Sequence, residues 1–559
     1  MKLLDSRRLT GPNLQLHEPA AIAEVEFEPG ETADAVISHW HDALTRMLDA
    51  VGWSDATRFV RPFADERGAA LGFAAPLDAL YAATEVNEWA IAVAEATIAD
   101  TRMPRFERNV AHIAAAIAAE QRPDLVQLVA EAATHGLPVL IDEDGVTVGL
   151  GAHSQTWPPD RVPALADIPF ATLGTIPVIA VTGTNGKTTC TRWLTRIFAN
   201  AGQTSGSTST DGIVVDGRLI EDGDCSGPGA ARRLLRCTEL QAAVLETARG
   251  GLLRRGFVLP RCDAALLTNV SDDHLGEFGI QTVDELASVK AIIAQCVDPE
   301  GLVVLGADSD ALARRPWRFA APQVWFSGRP DHPRIREHLR TGGEAWFVDD
   351  GAIVRARGDR RDALVNVADL ALAFEGAAPH NVLNALGVAA VATGLGLPRQ
   401  AIVAGLCDFG SEPTDNPGRL ERYELDGVLV VLDFAHNLEG LRGQIDVVAA
   451  LRRERTGRLS VSFGMAGDRS DEMLGALAAE IGRMRPDHVI VRELPEYLRG
   501  RGPGEVPAIL RAAFERSGVP AAAIDEAPDA RSAIAMARQW AQPGDMIAVF
   551  AHTDRVPMW

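Results

Sequence analysis

The hydrophobic pattern of this chain changes character twice. Over residues 1–136, after a short extended start, apolar side chains recur at helical spacing: Ala35, Val36, Trp40, Leu44, Met47 and Leu48 share one face, and the spacing returns through 77–98 and 110–119. A mostly helical α+β domain is expected there. Residues 138–151, PVLIDEDGVTVGLG, read as two short strands around an Asp-Glu-Asp-Gly turn, closing a first domain at 151. The next stretch, TWPPDRVPALADIPF, carries four prolines and reads as a linker over 152–172.

From Ile176 short apolar runs alternate with amphipathic helical stretches, the pattern of parallel sheets covered by helices on both faces. Strands are expected at 177–181, 242–245, 264–267 and 302–305. After the Asn416-Pro417-Gly418 break, others are expected at 428–432, 459–463, 488–491 and 546–550. Two consecutive α/β domains follow, over 173–412 and 413–559, and the polar, glycine-containing stretch from about 316 to 375 reads as hairpins added to the first sheet.

Composition narrows the function. The chain has 559 residues, 47% of them hydrophobic, and no apolar run approaches the ~20 residues of a membrane span. That excludes membrane insertion as an expectation, and a net charge of −22, which repels a phosphate backbone, makes bulk nucleic-acid binding unexpected as well. Six scattered cysteines without a C-x-x-C pair point to a reducing cytoplasm and no structural zinc. Only three of the 54 basic residues are lysines: Lys2, Lys187 and Lys290. Codon bias explains the scarcity but not the survivors. A lysine kept among arginines points to chemistry that needs a compact ammonium or a deprotonatable amine.

Lys187 lies in the strongest motif, IPVIAVTGTNGKTTCTRWLTRIF. An apolar strand runs into Gly183, Thr184, Asn185, Gly186, Lys187, Thr188 and Thr189, and Trp193, Leu194, Ile197 and Phe198 then mark a helix face. That order suits a phosphate-binding loop: glycines admit phosphate to backbone N–H groups, the helix N-terminus is positive, Lys187 adds charge, and Thr188 can ligate Mg²⁺. Val181 stands where the usual spacing has its first glycine. Ligands gather at the carboxyl ends of parallel strands, which draws in Glu246, closing Ala-Val-Leu-Glu, and Asn269, Asp273 and His274 after the third strand. Each alone would also suit a solvated strand end.

Together, TGTNGKTT, the strand-end Glu246, TNVSDDHLG and LASVKAII resemble the central domain of the Mur ligases and folylpolyglutamate synthetases. His380-Asn381-Val382-Leu383-Asn384-Ala385, Pro417-Gly418-Arg419 and Asp433-Phe434-Ala435-His436-Asn437 resemble later elements of the same superfamily, in its order. The resemblance implies a P-loop central domain and a Rossmann-like C-terminal domain, ATP and Mg²⁺ as cofactors, and amide-bond formation through an acyl phosphate. It assigns Lys187 to the β- and γ-phosphates, Thr188 and Glu246 to one Mg²⁺, and His274 to a second. Lys290 matches a lysine that in many of these ligases is carbamylated and helps hold the second metal. Asn381 and Asn384 would lie by the adenine, and Arg419 and Asp433 would close over the nucleotide. Two departures affect the amine side: Gly306 stands where asparagine is common, and Phe550-Ala551-His552-Thr553-Asp554-Arg555 replaces a G-K-G-H-E element.

Within the superfamily, Ser209-Thr210-Asp211-Gly212, Ser226-Gly227-Pro228, the run from Glu246 to Arg254 and the opening Arg8-Leu9-Thr10-Gly11-Pro12-Asn13 resemble the cyanophycin synthetases. Residues 138–151 resemble the start of that family's ATP-grasp module, for the rest of which the 152–172 segment leaves no room. The resemblance implies a ligase forming one kind of amide bond between a carboxylate-bearing peptide or amino acid and an amine. A non-catalytic nucleotide-binding partner of a separate ATP-grasp protein and a folylpolyglutamate-type glutamate ligase are the alternatives, and a homo-oligomer stays open.

Overall fold

The strand Val178–Thr182 is buried at all five positions, which is why its sequence shows no alternation: a central parallel strand has no solvent face. It anchors the first of two units in a computed structural model that describes residues 1–272, 275–435, 437–453 and 455–550. The first unit comprises Met1–Trp346, Ala356–Arg360 and Gly387–Ile402; the second comprises Phe347–Arg355, Arg361–Leu386 and the chain from Val403 onward.

Around Val178–Thr182 the first unit's sheet runs, in spatial order, Arg218–Glu221, Gly212–Val215, Ser205–Ser209, Ala242–Glu246, Val178–Thr182, Cys262–Leu267, Val297–Gly306 and Gln323–Ser327. Pairing is parallel from Ser205–Ser209 onward, with an antiparallel hairpin at the other edge. The four strands expected here are all present. Ser205–Ser209 was not expected, because Ser-Gly-Ser-Thr-Ser carries no apolar signal although all five residues are buried. The register pairs Leu245 with Ala180 and Leu266 with Val181, so Thr182, Glu246 and Leu267 reach the same edge.

The N-terminal domain contains more sheet than helical periodicity implies. Four antiparallel strands, in the order Lys2–Leu9, Ala20–Glu26, Gly68–Ala74 and Arg58–Pro62, pack with helices Ala33–Val51 and Leu80–Ile98. Ala and Gly have weak strand propensity, so Ala20–Glu26 and Gly68–Ala74 are made strands by what covers them. Ala21, Ala23, Val25, Leu71 and Phe73 enter one core with Trp40, Leu44 and Leu48, while Ala20, Ile22 and Ala70 face a smaller one with Leu9 and Phe63. Inside the larger core the Trp40 indole donates to Asn87 Oδ1 at 2.9 Å and the Asn87 amide donates to Leu71 O at 3.0 Å.

The proline-rich stretch is packed. Gln155–Trp157 forms a third strand beside the expected hairpin, and Val162, Leu165, Ile168 and Phe170 pack with Leu125 and Leu128. Prolines end helices without preventing burial of the apolar residues between them. The hairpin docks through Asp142, which pairs with Arg232 at 3.1 Å and Arg236 at 2.7 Å.

In the second unit a six-stranded sheet runs Glu421–Leu425, Val428–Asp433, Met546–Phe550, Leu459–Phe463, His488–Arg492 and Ile524–Ala527. It is parallel except for the antiparallel edge strand Glu421–Leu425. Leu429 and Val431 enter the core on one face, and Val428, Val430 and Leu432 the core on the other. All four strands expected in this region are present. Among the described residues no helix is long and apolar enough to cross a membrane.

Candidate nucleotide and metal site

Three strand ends and one helix start build the site in the first unit. Val178–Thr182 ends in the loop Gly183–Gly186, and helix Lys187–Asn200 starts directly after Gly186, whose φ of +84° makes the turn. The loop is braced from the next strand. Asn185 N–H donates to Asn269 Oδ1 at 2.9 Å, and the Asn269 amide donates back to Asn185 O at 3.1 Å. Thr268 Oγ1 donates to Asn185 O at 2.6 Å, Thr184 N–H to Asn269 O at 2.9 Å, and Ser271 N–H to Thr184 Oγ1 at 3.1 Å. A Cβ on Gly183 would lie 1.9 Å from Thr268 Oγ1, so only glycine lets the loop approach this closely.

The two lysines singled out by scarcity converge on this loop. Lys187 Nζ donates to Gly183 O at 3.1 Å and Thr184 O at 3.0 Å, folding the ammonium back over its own turn. Lys290, 4% exposed at the last position of helix Val283–Lys290, donates from Nζ to the same Gly183 carbonyl at 2.6 Å. An ordinary surface lysine is thereby ruled out for Lys290.

Thr188 and Glu246 meet as well. Thr188 Oγ1 donates to Glu246 Oε2 at 2.8 Å, with Thr210 Oγ1 3.5 Å from the Thr188 hydroxyl, and Glu246 is 2% exposed. Taking a carboxylate out of water costs several kcal/mol unless its surroundings offset it, so a carboxylate kept this buried is placed there by the fold. A hard hydroxyl and carboxylate oxygen together suit Mg²⁺, which keeps waters and phosphate oxygens in its shell and needs few protein ligands. Among the described residues no group of three His, Cys, Asp or Glu side chains converges. Behind the pair, burial, with Glu246 adding to the effect, pushes the Cys190 thiol well up, which removes it as a nucleophile. Asp273 and His274 lie outside the described residues, as do His436 and residues 551–555.

Asn381, Asn384, Arg419 and Asp433 belong to the second unit. Asn384 donates to Asn381 Oδ1 at 3.1 Å, and Asn381 donates to Leu372 O at 3.1 Å. Asp433 accepts from Leu420 N–H at 2.8 Å, and Arg419 stacks 4.6 Å over the Phe434 ring. Burial raises the Asp433 carboxyl to about 6 against the opposing pull of Arg419. Arg419 and Asp433 therefore form one charged corner.

Motif reading passed over Thr268 and Thr210. Thr268 is the first residue of TNVSDDHLG, directly before Asn269, and that place in the motif was the one available signal. Thr210 lies in the Ser-Thr-Asp-Gly stretch, which carries no chemistry until the sheet order puts it beside the phosphate loop.

With this geometry in view, the similarity to known proteins is specific. The Mur ligase middle domain matches residues 181–392, and the domain described as Mur ligase, glutamate ligase domain matches residues 418–553. The chain belongs to the Mur ligase family. Members of this family are ATP-dependent ligases that form amide bonds. A cyanophycin synthetase of Synechocystis sp. is 36% identical over 364 residues, covering 64% of this chain and 41% of that protein. The UDP-N-acetylmuramoyl-L-alanyl-D-glutamate–2,6-diaminopimelate ligase of Ralstonia nicotianae is 28% identical over 388 residues, covering 63% of this chain and 69% of that one. A solved structure of E. coli FolC in complex with DHPP and ADP is 18% identical, with a TM-score of 0.47 over 67% of this chain and 85% of that one. The chain spans about two fifths of the length of the cyanophycin synthetases it matches.

Proposed function

We propose that this Mur ligase family member is an ATP- and Mg²⁺-dependent, ADP-forming ligase that activates a substrate carboxylate as an acyl phosphate and joins it to an amine or amino acid. The observation that carries the reading is the Thr188–Glu246 pair, 2.8 Å apart beside a phosphate loop that Lys187 and Lys290 both touch. Mg²⁺, when bound there, would offset phosphate charge during transfer.

In this reading the backbone N–H groups at the start of helix Lys187–Asn200 and the Lys187 ammonium hold the β- and γ-phosphates. The carboxylate oxygen attacks the γ-phosphorus and ADP leaves; the amine then attacks the acyl carbon, gives up a proton and expels phosphate. Thr268 and Asn269 keep the loop rigid, so its donors need no rearrangement during transfer. The second unit's Asn381, Asn384, Arg419 and Asp433 are proposed nucleotide contacts, and Lys290 as a carbamate with His274 is proposed for a second metal. The likeness to cyanophycin synthetases supports an amino-acid or peptide substrate, and a separate ATP-grasp protein is a proposed partner.

The test is incubation with ATP, Mg²⁺ and panels of amino acids and acidic peptides, read by mass spectrometry for a new amide, with Lys187→Ala as control. Amide formation that disappears in Lys187→Ala is the expected result. Nucleotide binding with neither hydrolysis nor amide under any pairing would overturn the ligase reading in favour of a silent subunit.

A further inference from the structure

The N-terminal sheet holds both chain segments that lead to the candidate site. Along its first strand and the following turn, Arg7 Nε donates to Leu253 O at 2.8 Å, Thr10 N–H to Arg255 O at 2.7 Å, and Phe257 N–H to Pro12 O at 2.7 Å. Residues 253–257 close the short helix Arg249–Arg255, which begins three residues after Glu246. The approach is backbone to backbone: a Cβ on Gly11 would lie 2.2 Å from Phe257 O.

The second grip is on the loop ahead of Lys290. Arg61, in the edge strand Arg58–Pro62, donates from its two terminal nitrogens to Gly279 O at 2.8 Å and Phe278 O at 3.0 Å. Its guanidinium also lies 3.5 Å from Glu285 Oε1. Asp65 N–H donates to Gln281 Oε1 at 2.7 Å, and a Cβ on Gly279 would lie 2.2 Å from the Phe63 ring. Phe278 sits at φ +54°, a left-handed conformation that a bulky side chain keeps only when its surroundings impose it. Arg7 supplies part of those surroundings, 4.7 Å over the Phe278 ring. Glu285, held by Arg61, accepts from the N–H groups of Gln281 at 2.9 Å and Thr282 at 3.0 Å in a capping box that starts helix Val283–Lys290. Two turns on, Lys290 reaches Gly183 O.

We infer that Arg61 is a positioning residue: by clamping Phe278, Gly279 and Glu285, the N-terminal domain sets where helix Val283–Lys290 starts and so where Lys290 meets the phosphate loop. The domain is thereby part of the ligase site's scaffold. This inference rests on the function proposed above for Lys290 and the loop, and its test is built to fail separately from that reading.

The test compares Arg61→Ala, Arg61→Lys and Gly279→Ala in the full chain, the last attacking the same clamp from the loop side. Three readouts are taken: hydrogen exchange over 276–290, binding of a fluorescent ATP analogue, and ATP turnover in the presence of substrate. Expected for Arg61→Ala and Gly279→Ala are about tenfold faster exchange confined to 276–290, analogue affinity within about twofold, and kcat down about tenfold or more, since small misplacements near reacting groups are costly. Arg61→Lys, keeping the charge and one donor nitrogen, should recover part of kcat. Unchanged exchange over 276–290 in both disruptive variants would overturn the clamp even if the protein proves to be a ligase. If wild-type protein shows no turnover, the function fails while exchange and analogue binding still decide the clamp. Loss of protection throughout the first unit, with no recovery by lysine, would mark Arg61 as a general stability residue and overturn the positioning role.

Discussion

Thr188 Oγ1 and Glu246 Oε2, 58 positions apart in the chain, lie 2.8 Å from each other because the strand that Glu246 ends and the strand that leads to Thr188 are neighbours in register. A hydroxyl and a buried carboxylate at that separation can share one hard cation.

Glu246→Gln preserves volume and a hydrogen-bonding oxygen but removes the charge. Turnover should fall roughly a hundredfold to a thousandfold, with the Mg²⁺ concentration for half-activity raised and the melting temperature unchanged or slightly higher. Magnesium titration of activity checks this. Wild-type metal dependence in Glu246→Gln would remove the carboxylate from the site.

Gly183→Ala drives a methyl into Thr268 Oγ1. Nucleotide affinity should drop by about tenfold or more, since the loop must shift to relieve the overlap. The double variant Gly183→Ala with Thr268→Ala removes the clashing oxygen, and calorimetric titration with ADP should show part of the affinity restored.

Lys290 donates to Gly183 O, and a carbamylated Nζ would keep one N–H for that bond while adding an anion for a metal. Activity should be lost in Lys290→Ala and partly regained with excess acetate. Arg cannot capture CO₂, so Lys290→Arg should also be inactive without additive. Full activity of Lys290→Arg would refute the carbamate.

Asp433 has its carboxyl raised to about 6 by burial, against about 3.9 for the unfolded chain. The folded state therefore holds the proton more tightly. The stabilisation from the protonated form is complete below about pH 4 and is lost as pH rises through about 6. Relative to Asp433→Asn, which stays neutral, wild type should lose about 1–3 kcal/mol between pH 4.5 and 7.5 in urea melts. A difference that does not change across this window would mean that the carboxyl is ionised throughout.

Helical period, apolar strand runs and contiguous motif residues placed both α/β sheets and the phosphate loop, since each is written over a few adjacent positions. Val178–Thr182 and Met546–Phe550 read as strands because nothing polar interrupts their apolar runs, and Leu459–Phe463 because its apolar residues alternate with Ser460 and Ser462. The strands Ala20–Glu26, Gly68–Ala74 and Ser205–Ser209 did not, because alanine, glycine and serine carry little of that signal and become strands only under the layers that cover them.

The sequence by itself therefore determined the local chemistry: a glycine-rich turn between strand and helix, a lysine and threonine at the helix start, a glutamate at a strand end, and a lysine kept among arginines. Tertiary structure decided which of these meet. Strand order brought Glu246 to Thr188 and Thr268 to Gly183, and docking of the N-terminal sheet brought Arg61 to the loop ahead of Lys290. Such contacts depend on which distant segments become neighbours, and no period or motif along one segment specifies that. It is settled by the joint burial of apolar surface and the pairing of backbone groups across the whole unit.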